Sequence, residues 1–138
     1  MKLALVIAGL FAAVSANARA ADTKPKDENV PNVAISPVAI PVIAGGKVVN
    51  YVFVSVRIDL TNSANSIKLR EREPYFRDAL VRAAHRTPFT LATDYTKIDE
   101  AKLKAALLRD ATAIAGPNAV KGVTILSQTP KSTRVAVR

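Results

Sequence analysis

An α+β fold is predicted, with an N-terminal β-hairpin, two amphipathic helices packed on one sheet face and a C-terminal strand in the order ββααβ. Three features predict it. Residues 48–60, VVNYVFVSVRIDL, alternate with a period of two, and the segments 67–86 and 97–115 repeat their apolar positions with a period near 3.6. Residues 123–128, VTILSQ, then form a short apolar run near the end of the chain.

The run 48–60 is the centre of the predicted core. Val48, Val52, Val54, Val56, Ile58 and Leu60 make an apolar even row that only Asn50 interrupts. The odd row passes from Val49, Tyr51 and Phe53 to Ser55, Arg57 and Asp59, so one face should be buried along its length and the other only in its first half. Residues 33–43 are apolar but carry Pro37 and Pro41; proline cannot donate to a ladder, which confines this strand to a sheet edge with both prolines turned outward. Gly45-Gly46 supplies the positive φ of a tight turn and joins the two strands as a hairpin.

After a polar loop at 61–66, Leu69, Phe76, Leu80 and Ala83 fall on one helical face, while Asp78, Arg82 and His85 fall opposite. Pro74 marks either the first turn of a helix beginning near Arg72 or a kink in a longer one; sharing of one stripe by Leu69 and Phe76 favours the longer, kinked form. Phe89 and Leu91 should lie across the end of the core. Thr96 and Asp99 resemble a capping box at the start of a helix over 97–115, which Gly116-Pro117 stops. Its stripe is Leu103, Leu107, Ala111 and Ile114. Residues 133–137 are a candidate continuation of the last strand.

The first 20 residues have the three parts of a secretory signal: Lys2, an apolar run over 3–14, and small residues before a cleavage point after Ala20 or Ala18. The apolar run is 12 residues, short of the roughly 20 that span a bilayer. Export to the periplasm is therefore expected, with membrane association only if this segment is retained. Residues 21–32 read as a flexible, proline-punctuated leader, and 33–138 as one domain.

The chain holds 20 Lys and Arg against 11 Asp and Glu, a net charge of +9. Loss of residues 1–20 removes Lys2 and Arg19 and leaves 18 against 11, a net of +7. Such a balance suits a membrane surface, a cell-wall polymer or an acidic protein face, or simply a solvated surface. Nucleic acid is not an expected partner of an exported chain.

Cysteine is absent, which removes disulfides, thiolate metal sites and thiol nucleophiles. His85 is the only histidine; its place opposite the apolar stripe predicts a solvent-facing side chain with no partner to orient it as a base. Glu71 and Glu73 stand beside Arg70 and Arg72, which neutralises them locally, and the glycine pair at 45–46 lacks the spacing of a phosphate loop. No catalytic residue, metal ligand or cofactor is expected. Val49, Tyr51 and Phe53, with the off-stripe pair Ala101 and Leu108, are surplus apolar surface on a one-layer domain, of the kind that marks an interface unless loops or the leader cover it.

Three pieces lie in an order that resembles the periplasmic domain of the flagellar basal body-associated FliL family, whose fold is related to the stomatin-type domain: the hairpin PVAIPVIAGGKVVNYVFVSVRIDL, the helix REREPYFRDALVRA, and the helix DEAKLKAALLRDATAI with the strand VKGVTILSQ after it. The most specific token is Pro74-Tyr75-Phe76-Arg77-Asp78-Ala79-Leu80, in which Pro74, Phe76, Arg77, Asp78 and Leu80 match the family's helix pattern. Members usually carry a transmembrane helix where this chain has a signal-like segment. The resemblance implies a non-enzymatic, ring-forming protein that supports flagellar stator or basal-body proteins and hence motility. The alternative expectation, from charge alone, is a periplasmic module that binds anionic envelope polymers or a lipid surface.

Overall fold

A computed structural model describes residues 30–135 and 137 of the chain. The signal and most of the leader, residues 1–29, lie outside the described residues. The strand predicted over 33–43 begins a residue earlier, as β1 (Asn32–Ala44), and runs antiparallel to β2 (Lys47–Leu60). Gly45 and Gly46 turn the chain at φ +57° and +74°, the pair of positive values that a two-residue hairpin needs. After β2 come α1 (Ser66–Glu71), α2 (Glu73–Arg86), a small hairpin of β3 (Thr90–Leu91) with β4 (Asp94–Ile98), α3 (Glu100–Ala115) and β5 (Val120–Pro130). The main sheet is antiparallel in the order β1-β2-β5, so β2 is its central strand. All three helices belong to an α+β arrangement in which α2 lies over β1 and α3 over β5.

The core forms where the two periodicities meet. From β2 it takes Val52, Val54, Val56, Ile58 and Leu60; from β1, Val33, Ile35, Val38, Ile40 and Val42. Leu69, Phe76, Leu80 and Ala83 roof this layer together with Leu103, Leu107 and Ala111, and Phe89 closes one end. Burial of Phe76 and Leu80 contributes roughly 1.5–3 kcal/mol each, and the continuous stripe leaves the opposite face of α2 to the exposed pair Arg82–Asp78 at 2.7 Å, while Arg77 lies 4.0 Å from the half-buried Glu73.

Several local expectations are corrected. The first helix is not one kinked rod: Arg72, at φ −92° and ψ 7°, separates α1 from α2, and Pro74 sits in the first turn of α2, where its missing N–H costs nothing. The α3 helix starts at Glu100, not at 97, because 94–98 pairs with β3 and buries Ile98. Thr96 therefore takes no part in a capping box. Its hydroxyl donates to Asp94 Oδ1 at 2.6 Å, while Asp99 caps α3 by accepting from Lys102 N at 3.1 Å. The last strand is longer than 123–128 at both ends, and no strand continues over 133–135.

The odd row of β2 also differs from expectation. Its apolar first half is the exposed half, with Tyr51 38% and Phe53 44% accessible, whereas Ser55, Arg57 and Asp59 are half-buried. A register shift between Val42 and Ile43 places one extra residue in β2 near the turn. Val48 is thereby exposed while Val49 packs against the core, the reverse of the expected alternation.

Candidate interaction surfaces

The two edges of the main sheet are built differently. On β2 the main chain of Tyr51 faces β5, since its carbonyl accepts from Lys131 N at 2.8 Å. Tyr51 pairs with Pro41, so Pro41 occupies a position that asks no donor of it, and Pro37 lies in a bulge between Ile35 and Val38. Other outward groups of β1 are held by side chains. Arg70 Nε donates to Asn32 O at 3.0 Å, and Ser36 N donates to Glu73 Oε1 at 3.0 Å. One hydroxyl serves both groups of Ile43: Thr90 Oγ1 accepts from Ile43 N at 3.0 Å and donates to Ile43 O at 2.8 Å. The β1 edge is closed by prolines, a bulge and three side chains from the helices and β3.

No described strand pairs with the outer edge of β5. Gln128 ties it inward, accepting from Ile98 N at 3.0 Å through Oε1 and donating to Glu100 Oε1 at 2.6 Å through Nε2. These bonds fix the start of α3 beside the end of β5, and α3 runs antiparallel to the strand above it. Beside the edge lies a groove of about 420 Å³ lined by Thr96, Lys97, Glu100 and residues 125–128. Leu126 stands 53% exposed there, in a bulge of β5, and Leu108 is 39% exposed on α3. Ala101 is exposed as well. Of the surplus apolar positions singled out from sequence, Ala101 and Leu108 are exposed on α3, the helix over β5, and Tyr51 and Phe53 on the sheet face that no described helix covers; Val49 belongs to neither.

The uncovered face is bordered at one end by Asn50, which lies in the core-facing row of β2 and is the one polar side chain buried among the described residues, at 5% exposure. Its amide meets four partners. Nδ2 donates to Tyr95 O and to Ser132 O, both at 2.9 Å; Oδ1 accepts from Tyr51 N at 2.9 Å and Ser132 N at 3.2 Å. Asn50 thereby joins β2 to β4 and pins the segment after β5 alongside β2. Lys131 is held with its Nζ 5.8 Å from the centre of the Tyr51 ring. From the sequence Asn50 was only a gap in an apolar row; an amide in such a row is itself the signal for a buried polar anchor.

At the other end of that face Arg57 Nε donates to Asp59 Oδ1 at 2.6 Å, and Thr124 Oγ1 donates to Asp59 Oδ2 at 2.6 Å. This carboxylate is engaged from its own strand and from β5, and ties β2 to β5. Asp94 differs from its ordinary value: the Thr96 hydroxyl, then the Thr96 backbone N–H, hold its carboxyl lower, with Lys97 adding to the effect against a small burial penalty.

Between α2 and α3 a groove of about 510 Å³ has apolar walls from Ala79, Val81, Ala113 and Ile114. Asp110 turns into it; Arg86 Nη2 lies 3.7 Å from Oδ2, which has no hydrogen-bond partner, and Arg109 Nε donates to Oδ1 at 3.1 Å. His85 is exposed at its rim. Its Nδ1 lies 2.8 Å from Val81 O, which can only accept, so Nδ1 carries the proton. The groove's lining offers no hydroxyl for His85 to activate.

The helix motif read from sequence divides by function. Phe76 and Leu80 are wholly buried; Arg77 and Asp78 are exposed and make the helical ion pairs; Pro74 starts α2. Among the described residues no three His, Cys, Asp or Glu side chains gather as metal ligands, and no helix is long and apolar enough to cross a membrane. No protein-family model matches the chain, and no curated protein matches it.

Proposed function

We propose that this chain is an exported, non-enzymatic interaction protein that self-associates and, like the FliL family its sequence resembles, supports flagellar stator or basal-body proteins. The observation that carries the self-association is the contrast between the sheet edges. The β1 edge is shut by Pro37, Pro41, Arg70, Glu73 and Thr90, whereas the β5 edge has no strand partner among the described residues and carries Leu126, with Leu108 exposed on the α3 helix over that strand. Edge strands without such protection are templates for pairing with another chain, and exposed leucines beside one supply the apolar contact that an interface core uses. The flagellar part of the reading rests on the order hairpin, helix carrying Pro74 to Leu80, helix, strand, which parallels the ββααβ resemblance once the short α1 and the small β3–β4 hairpin are set aside.

A strain lacking the gene tests the flagellar part. Swimming should be impaired without it and restored by the intact chain, while the Leu108→Glu/Leu126→Glu variant should not restore it. Unimpaired swimming, with no stator or basal-body protein recovered on the tagged chain, would refute the reading.

A further inference from the structure

We infer that the hairpin end of the uncovered sheet face is a docking surface for an anionic lipid bilayer. Val48, Tyr51 and Phe53 are all exposed along the first half of β2, the last two on the face that no described helix covers. An aromatic ring with one apolar body and one polar tip suits the boundary between headgroup and acyl chain. Basic side chains frame these residues. Lys47 stands at the turn; Lys131 lies over the Tyr51 ring; Arg134 follows, its backbone N–H donating to Ser132 Oγ at 3.3 Å. All three are exposed.

The frame is built into the fold. Asn50 holds Ser132 by two hydrogen bonds and Tyr51 O holds Lys131 N, so the basic segment after β5 stays beside the aromatic pair. The acidic residue at this end is Asp94, in the strand after the neighbouring turn, and its carboxylate is occupied by Thr96. Positive charge surrounding exposed aromatic and apolar residues complements an anionic bilayer, where each Lys or Arg near the surface contributes roughly 1 kcal/mol. A second copy of the chain would set the same three cations against one another, which disfavours it as the occupant. This surface lies at the far end of β1 from Asn32, twelve residue steps or about 40 Å away. It adjoins the β5 flank, since Phe53 pairs with Thr129, but it uses neither Leu126 nor Leu108 and does not depend on that flank's reading.

Sedimentation of the full chain with vesicles tests it, using equal parts phosphatidylglycerol and phosphatidylcholine against phosphatidylcholine alone. Binding should favour the anionic vesicles and weaken with salt. Lys47→Gln and Lys131→Gln should each reduce the anionic preference about fivefold, the equivalent of about 1 kcal/mol, and Tyr51→Ser/Phe53→Ser should abolish binding. All these positions are exposed, and circular dichroism checks that each variant remains folded. Equal binding to both vesicle types, or binding unchanged in the Tyr51→Ser/Phe53→Ser variant and so carried by residues 3–14, overturns the inference. So does a fall in oligomer mass in that variant without loss of lipid binding, which would make the patch an interface between copies. Light scattering of Leu108→Glu/Leu126→Glu reports on the flank alone and separates the two surfaces.

Discussion

Replacing Asn50 by alanine should be among the most disruptive single changes on this chain's surface-proximal strand half, although it removes no apolar contact of the core. The amide makes four hydrogen bonds, at 2.9, 2.9, 2.9 and 3.2 Å, and is 5% exposed. Once the amide is gone, Ser132 can swing away and recover water, since it is itself exposed. Tyr95 O cannot be expected to do so as freely, because β4 packs over that end of β2. With the two bonds to Ser132 replaced by water, about 1 kcal/mol for the lost bond to Tyr51 N and about 1–3 kcal/mol for the Tyr95 carbonyl left unsatisfied make the cost about 2–4 kcal/mol. That corresponds to roughly 10–20 °C in Tm for a domain of this size. Urea unfolding of the full chain followed by circular dichroism reads it as a lower midpoint with unchanged slope.

The companion variant Asn50→Asp separates the donors from the acceptor. A carboxylate cannot donate to Tyr95 O and Ser132 O, and burial against two carbonyls raises the folded-state pKa of the introduced group. Its penalty should therefore be largest at neutral pH and shrink as pH falls through that raised pKa, where the protonated carboxyl regains a donor. An Asn50→Ala change within about 0.5 kcal/mol of the parent, or an Asn50→Asp penalty independent of pH, would refute the reasoning.

Two further outcomes follow from local chemistry. Asp94 is stabilised as the carboxylate, so its contribution is present above its unfolded pKa and is lost as pH falls through the lowered folded value; Thr96→Val should move the NMR titration of Asp94 upward, and an unmoved titration would show that Thr96 is not the cause. Gly46 has φ +74°, so Gly46→Val should cost about 1–2 kcal/mol despite open space around it, measurable in the same urea assay; a neutral result would mean that the turn relaxes.

The parts of this architecture legible in the sequence are those that repeat. Val52 to Leu60 alternate over enough residues to fix a buried face, and Leu69 to Ala83 and Leu103 to Ala111 recur often enough to fix two helical stripes. Gly45-Gly46 is legible because its turn needs positive φ at both positions. What escaped has no period to read. The strand β3 has two residues, too few to show alternation, and its partner β4 was absorbed into the following helix through the resemblance of Thr96 and Asp99 to a capping box. The single inserted residue near the turn exchanged Val48 for Val49, because a shift of one reverses every side chain beyond it. Break points such as Arg72 depend on where Pro74 finds its place, and the stripe shared by Leu69 and Phe76 favours the longer, kinked helix over the two that form. Surfaces were legible only as surplus: Tyr51, Phe53, Ala101 and Leu108 stood out from sequence, but their division between the sheet face and the β5 flank required the strand order. The capping of the β1 edge by Glu73, Arg70 and Thr90 joins residues 37 to 47 positions apart, beyond any local pattern.

The central claim, that the open β5 edge and its leucines join copies of this chain, is tested most directly by multi-angle light scattering of the purified full chain beside its Leu108→Glu/Leu126→Glu variant. The parent should show a mass that is a multiple of the monomer and rises with concentration, and the folded variant should be monomeric. A parent that is strictly monomeric at every concentration, or a variant with the parent's mass, would contradict it.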